Sequence, residues 1–284
     1  MTETVAAAVD RGRVRLAAAG IAAAALEACV LFEHAAGFDR ASLLARGREP
    51  VASDSAQRYE RLLGERAQRI PLAYVIGERE FWSLRFLVDR RVLVPRPETE
   101  TLVEATLDRI GPGAWVADVG TGSGAVVIAL AHELGLGTFF GTDRCPSALV
   151  VARANAAEHG LARKIEFLQG DLLAPLAGLP GQLDAIVSNP PYIPTRDLGD
   201  LQAEVRDYEP RAALDGGLDG LDLLQRIIAD APPLLRRGGW LLLEVGAGQA
   251  NAVRGLLHGA CFEEVSTRRD LAGIERVVLA RRAA

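Results

Sequence analysis

From Ala114 to its end the chain alternates strand-like and helix-like stretches, and this alternation limits the fold more than any other feature. "AWVADVG" (114–120) reads as a strand, "AVVIALAHELG" (125–135) as a helix, "TFFGTD" (138–143) as a strand, and "PSALVVARANAAEHG" (146–160) as a helix opening on proline. "KIEFLQGD" (164–171) and "LDAIVSN" (183–189) are strands, "LDLLQRIIADAPPLLRRGG" (221–239) reads as a helix with a proline break, and "WLLLEVG" (240–246) is again a strand. A helix over 250–260 precedes two final strands, "FEEVSTRRD" and "ERVVLARR", close enough to pair as neighbours. Strands separated by helices cannot join as hairpins. They give an α/β fold whose mainly parallel sheet is covered by helices on both faces.

The first 75 residues carry no strand signal. A helix from about Thr4 to Ala36 breaks near Gly20, a short one covers Arg40–Arg46, and a third runs from Ser53 or Asp54, good N-cap residues, to Pro71. Residues 78–95, "EREFWSLRFLVDRRVLVP", alternate apolar and charged side chains as a half-buried hairpin does, turning near Asp89–Arg91 or earlier at Ser83. "PRPETE" (95–100) then opens a helix, with Glu98 and Glu100 in its first turn. The expected domains are a helical unit over 1–75, a hairpin linker over 76–97, and the α/β domain over 98–284.

Composition removes several function classes. A formal charge of −5 argues against non-specific nucleic-acid binding. Three scattered cysteines and four histidines without ligand spacing predict neither a disulfide scaffold nor a metal site, and fit a reducing, cytoplasmic setting. The apolar run 16–32 follows three arginines like a leader peptide. Glu27 interrupts it, it is short of the ~20 residues a membrane helix needs, and its alanines predict a packed helix.

Four features fall where strands end, the edge at which open α/β sheets bind ligands. "DVGTGSGA" (118–125) places Asp118, Gly120, Thr121, Gly122, Ser123 and Gly124 between strand and helix, where glycines let the backbone approach a ligand. The same glycines satisfy a nicotinamide-cofactor pattern. Asp143 closes the next strand at the spacing of an acid that accepts ribose hydroxyls, or else it caps the following helix. Asp171 closes the third strand, placed to accept from an adenine amino group with Leu172 against the ring, or serves as an ordinary turn. The fourth strand ends in Asn189-Pro190-Pro191-Tyr192. Asn189 offers an amide, Pro190 a carbonyl without an N–H, the paired prolines stiffness, and Tyr192 a flat ring. Such an elbow can hold a planar NH2-bearing group by accepting both its hydrogens.

Together the glycine loop, the acid of the next strand and the Asn-Pro-Pro-Tyr elbow resemble an S-adenosylmethionine-dependent methyltransferase acting on planar nitrogens. "PLAYVIGEREFWSLRFLVDRRVLVPRPETE" (71–100), "EVRDYEPRAAL" (204–214) and "GIERVV" (273–278) are similar to the release factor glutamine methyltransferase family, also called HemK or PrmC. The likeness extends over nearly the whole chain. It implies a Rossmann-like seven-stranded methyltransferase sheet preceded by a helical bundle and a β-hairpin. It also implies N5-methylation of the glutamine in the Gly-Gly-Gln motif of release factors, with S-adenosylhomocysteine as by-product. By that likeness the Asn189 oxygen and the Pro190 carbonyl accept the amide hydrogens, and Tyr192 packs on the amide plane, with Pro191 beside it. Gly120–Gly124 border the methionine and ribose, Asp118 belongs to the same loop, Asp143 holds the ribose, Asp171 and Leu172 lie by the adenine, and Asn189 also meets the cofactor. Some relatives carry an aromatic residue where this chain has Leu172. Cys145 is expected in the cofactor wall. The helical unit is expected to dock the release factor and the protein to act as a monomer, with no membrane and no stable nucleic-acid partner.

Three rival readings rest on the same residues. A nucleic-acid methyltransferase acting on adenine N6 or guanine N2 would use the elbow equally well. A nicotinamide-dependent dehydrogenase rests on the glycine loop alone. A binding protein without turnover would have no need of Asn189.

Overall fold

The computed structural model describes residues 3–283, which divide into two compact units: residues up to Glu78 together with Gln202–Tyr208, and Arg79–Leu201 together with the segment from Glu209.

The first unit is helical. It contains α1 (Val5–Ala18), α2 (Ala24–Ala36), α3 (Arg40–Ala45), α4 (Ser53–Ala67) and α5 (Leu72–Ile76). Thr4 and Asp39 cap α1 and α3 by accepting from backbone N–H groups three residues on. The break expected at Gly20 separates α1 from α2, so the apolar run 16–32 is not one helix. No helix among the described residues is long and apolar enough to cross a membrane. The core closes on Tyr59, fully buried, edge-on to Phe32 at 5.0 Å and donating to the Ala28 carbonyl at 3.1 Å. Helix α5 is absent from the sequence reading, because "PLAYVIG" is too short for a periodicity to show. Gly77, in the left-handed region, stops it. The short α9 (Ala203–Tyr208), distant in sequence, also belongs to this unit. Its Glu204 is held by Arg66 at 3.0 Å and Arg69 at 2.7 Å, while Arg66 also pairs with Glu27 at 2.5 Å.

The second unit opens with the hairpin β1 (Glu78–Phe81) and β2 (Leu84–Leu87). It turns at the earlier of the two expected places. Trp82 and Ser83 both have positive φ (53° and 56°), the pattern of a two-residue turn that matches strand twist. The Trp82 N–H donates to Glu100 at 2.8 Å, and the Leu87 backbone exchanges two hydrogen bonds with buried Asn155. The α/β part continues as α6 (Glu100–Leu107), β3 (Trp115–Val119), α7 (Ala125–Leu134), β4 (Thr138–Asp143), α8 (Pro146–Glu158), β5 (Ile165–Gln169) and β6 (Leu183–Ser188). After α9 come α10 (Asp222–Asp230), β7 (Leu235–Glu244), α11 (Ala250–His258), β8 (Phe262–Arg269) and β9 (Glu275–Arg282). One expectation fails here. Helix α10 stops before Pro232, and Leu235–Gly239, read as helix, form the start of β7. Two consecutive prolines end the helix, and pairing with β6 draws the residues after them into the sheet.

The seven strands lie in the order β5-β4-β3-β6-β7-β9-β8, with only β9 antiparallel to its neighbours. Their central members are almost wholly apolar because both faces are covered. Ala117, Val119, Ile186, Leu241 and Leu243 pack with α10 and α11. Register then decides the site. Val119 pairs with Thr142 and with Ser188, and Ser188 pairs with Leu243. The residues next after these four, Gly120, Asp143, Asn189 and Glu244, therefore leave the sheet side by side along one edge.

Candidate active site

The glycine loop turns sharply off β3. The Gly120 and Thr121 N–H groups both donate to the Thr142 carbonyl at 2.9 Å, tying the loop to β4. Gly120, Gly122 and Gly124 all have positive φ, between 55° and 82°. A Cβ at Gly120 would meet nothing within 4 Å, so that side of the turn is open.

Two adjoining clefts border the loop. The larger, about 850 Å³ of open space, is lined by Gly120, Gly122, Asp143, Cys145, Asp171, Leu172, Asn189 and Pro191 among others. The smaller, about 440 Å³, is lined by Pro95, Arg96, Thr99, Asp118, Gly120–Ser123 and Asn189. Gly120, Gly122 and Asn189 face both. Neither Pro190 nor Tyr192 is in either lining. Gly124 is also absent from both. A Cβ there would sit 2.9 Å from Ile128 Cδ1, so this glycine serves the packing of α7.

The acids along the edge are held differently. Asp143 accepts from Gly122 N–H at 3.0 Å and Cys145 N–H at 2.8 Å, so it ties the glycine loop and the start of α8 to one carboxylate. Four lone-pair positions leave it room for further donors. Asp118 is 2% exposed and accepts the Thr121 hydroxyl at 2.7 Å. Burial pushes its carboxyl up to about 7, against the opposing pull of Thr121 and the Val127 backbone. Asp171 is exposed and paired with Arg226. Leu172, beside it, has φ of 49°, unusual for a leucine, and its carbonyl accepts the Thr142 hydroxyl at 2.9 Å. The Cys145 thiol lies 3.0 Å from Ser147 Oγ, a contact that pulls its pKa down.

The elbow after β6 is supported from outside its own segment. Asn189 Nδ2 donates to Thr99 Oγ1 at 3.1 Å. The Tyr192 hydroxyl donates to Glu244 Oε1 at 3.3 Å, and the Tyr192 carbonyl accepts from Gln249 Nε2 at 2.9 Å. Burial, with Glu244 beside it, pushes the Tyr192 phenol pKa up. Gly216 and Gly220 press against the same segment. A Cβ on Gly216 would lie 2.7 Å from Tyr192 Cα, and one on Gly220 would overlap the Tyr192 carbonyl oxygen. The "PRPETE" stretch also gains definition. Arg96 spans both carboxylate oxygens of buried Glu209 at 2.7 and 2.8 Å, and burial raises the Glu209 pKa despite that partner.

Thr99, Glu244, Gln249, Gly216 and Gly220 do not emerge from the sequence reading. For Glu244 a signal exists: "WLLLEVG" ends its strand on an acid, as "TFFGTD" does. No group of His, Cys, Asp and Glu suited to a metal occurs among the described residues.

A family model for the PrmC N-terminal domain matches residues 7–77, and one for a methyltransferase domain matches residues 116–208. The chain is similar to a release factor glutamine methyltransferase of Moorella thermoacetica, 47% identical over 94% of this chain and 95% of the relative. It is likewise similar to one of Geobacter sulfurreducens, 42% identical over 97% and 95%. Among solved structures, a methyltransferase from Pyrococcus furiosus matches with a TM-score of 0.54 at 16% identity, over 81% of this chain and 100% of the other. The hMettl16 catalytic domain, crystallised with an RNA hairpin from the MAT2A 3'UTR, matches at 0.60 and 18% identity, over 78% and 81%. At such identities the two structures speak for the fold alone, a Rossmann-like methyltransferase fold.

Proposed function

Because the chain belongs to the family of release factor glutamine methyltransferases, we propose that it methylates the side-chain nitrogen of the glutamine in the Gly-Gly-Gln motif of peptide chain release factors, with S-adenosylmethionine as donor. The observation that carries this reading is Asn189. Its NH2 donates to Thr99, which leaves its oxygen available as an acceptor, and the residue lines both clefts.

The residues present fit the cofactor. The open side of Gly120 leaves space that a side chain would fill, and Asp143 offers carboxylate lone pairs in the same cleft. When bound there, S-adenosylmethionine supplies an electrophilic methyl carbon on a sulfonium. Gly120–Ser123 with Asp118 would border its methionine and ribose parts, Asp143 its ribose hydroxyls, and Asp171 with Leu172 its adenine, while Gly124 shapes the turn behind them.

An amide nitrogen is a weak nucleophile because its lone pair is shared with the carbonyl. The chain's contribution is placement, with reacting atoms held about 3–3.5 Å apart and in line. The Asn189 oxygen and the Pro190 carbonyl accept the two amide hydrogens. They bias the lone pair outward, and the nitrogen's proton, strongly acidic once the new N–C bond forms, passes to solvent water. Tyr192 packs against the amide plane, and Pro191 keeps the elbow stiff.

The remaining parts of the proposal are a cytoplasmic protein of translation termination, active as a monomer, whose helical residues 1–75 dock the release factor. Removing residues 1–75 should raise the release-factor KM far more than the cofactor Kd. Adenine or guanine amino methylation is not favoured: the curated relatives carry the release-factor name, and the net charge of −5 argues against non-specific nucleic-acid binding. The decisive experiment is mass spectrometry of a release factor after incubation with methyl-labelled cofactor. One added methyl on the Gly-Gly-Gln glutamine is expected, and transfer to nucleic acid alone would refute the reading.

A further inference from the structure

The strand edge carries a second buried acid that the methyl transfer leaves without a task. Glu244 ends β7 one residue past Leu243, the partner of Ser188, so it stands beside Asn189. It is 1% exposed. Its Oε1 accepts the Tyr192 hydroxyl, and its Oε2 is buried with no hydrogen-bond partner. The Thr99 hydroxyl, which accepts from Asn189 Nδ2, is also close enough to Glu244 to favour its charged form. A line therefore runs Asn189–Thr99–Glu244–Tyr192, and both its ends belong to the elbow.

Proton counting gives this line a direction. A threonine hydroxyl has one proton to donate. When that proton points at Glu244, the Thr99 lone pairs are left for the Asn189 NH2, and Asn189 must turn its oxygen to the cleft. When it points at Asn189, the amide is held by its oxygen and turns NH2 to the cleft, against the NH2 of the substrate. An ionised carboxylate only accepts, so it imposes the first arrangement. A protonated carboxyl can donate to Thr99 and so permits the second.

The geometry points to Glu244 as a positioning residue that, through Thr99 and the Tyr192 hydroxyl, fixes which end of the Asn189 amide faces the substrate. This rests on the glutamine-methylating reading above. The group also titrates where it can matter, since burial pushes the Glu244 carboxyl up to about 7. The groups facing it are Tyr192 by hydrogen bond, Thr99 close by, Arg276 from β9 and Glu98 from the turn before α6. Arg276 is itself paired with Asp270 at 3.1 Å.

The test uses the full chain, a purified release factor and methyl-labelled S-adenosylmethionine. For the unaltered protein kcat should rise with pH through a limb near 7, while cofactor Kd stays flat. Glu244→Gln should lower kcat by about 10- to 100-fold, the scale expected when a reacting group is misplaced. It should also abolish the limb and leave cofactor Kd unchanged. Thr99→Val should behave alike, and Thr99→Ser, which keeps the hydroxyl, should retain the limb. Asp118 titrates in the same range, so loss of the limb on changing Glu244 is what assigns it. Should Glu244→Gln fail to fold, the two Thr99 variants decide. If Glu244→Gln, or Thr99→Val in its place, keeps the original kcat and limb, the proposal is overturned and glutamine methylation still stands. If the unaltered protein puts no methyl on glutamine, the functional reading falls instead.

Discussion

The glycine loop after β3 and the elbow after β6 leave the sheet at the same level, yet they are built in opposite ways. The loop is held close by: Thr121 holds Asp118 three residues away, and the Gly120, Thr121 and Gly122 N–H groups bond to Thr142 and Asp143 at the end of the adjacent β4. The elbow is supported from afar. Thr99 is 90 residues from Asn189, Glu244 is 52 from Tyr192 and Gln249 is 57. A cofactor common to many reactions can be met by a portable local loop. A substrate amide that must be placed within tenths of an ångström needs a frame tied to several elements at once.

If that division holds, damage to the elbow should spare cofactor affinity. The largest effect is expected for Asn189→Ala. Loss of the free acceptor should lower kcat by about 10³-fold, the upper scale for removing one oriented hydrogen-bonding group at a reacting centre. Cofactor affinity, measured calorimetrically, should change little. A matching rise in cofactor Kd would erase the distinction between loop and elbow.

The two buried acids sharpen the comparison through stability. Asp118 and Glu244 each have a folded pKa near 7, above their unfolded values of 3.8 and 4.5. Each therefore contributes stability that is fully present below about pH 4 and is lost as pH rises through 7. At Glu244 that difference corresponds to about 3 kcal/mol. Chemical denaturation of Glu244→Gln against the unaltered protein should show the variant gaining by about that amount between pH 4.5 and 8. The same comparison for Asp118→Asn should show a slope of the same sign. A flat difference at Glu244 would mean that water reaches the elbow's frame.

These contrasts also explain what the sequence discloses. Asp118, Gly120, Gly122, Asp143 and Asn189 are readable because each lies at a strand end and its signal is complete within a few residues. Sheet register then only has to bring the strand ends level, which parallel order does. Thr99 and Glu244 are not readable because each acts through a partner that another element supplies. "PRPETE" advertises a helix start, whereas the function of its threonine depends on where β6 ends. Gly124 misleads for a related reason: its spacing matches a ligand loop, while its real neighbours are Ile128 and Ala152 of the helices behind. The stretch 231–239 misleads in the opposite sense, since an apolar run beside prolines has no period that separates helix from strand.

Glycines on the two sides make a more delicate test. Gly220 has φ of 79°, and a Cβ there would overlap the Tyr192 carbonyl oxygen. Gly220→Ala should cost about 2 kcal/mol of stability from backbone strain and lower kcat, with cofactor Kd unchanged. Gly120 has nearly the same φ, 73°, and empty space around its Cβ. Gly120→Ala should cost only about 1 kcal/mol of stability, because strain is its sole structural penalty. Its effect should appear in cofactor Kd, since the added methyl enters the space assigned to the donor.

The smallest effect is expected at Gln249, and it bears most directly on how the elbow is held. Its Oε1 accepts the Gly246 N–H at 2.8 Å while its Nε2 donates to the Tyr192 carbonyl at 2.9 Å. It thus joins the end of β7 to the end of the elbow. Gln249→Ala removes one part-buried hydrogen bond to each, a loss of about 1–2 kcal/mol when the partners remain unsatisfied. Asn189 is still held through Thr99, so kcat should fall only about 10-fold, the equivalent of 1.4 kcal/mol. Gln249→Glu keeps an acceptor for Gly246 but loses the donor to Tyr192. Comparing the two in single-turnover assays separates the tie to the strand from the tie to the elbow. Equal losses would place the effect on Tyr192, and a milder loss in Gln249→Glu would place it on Gly246.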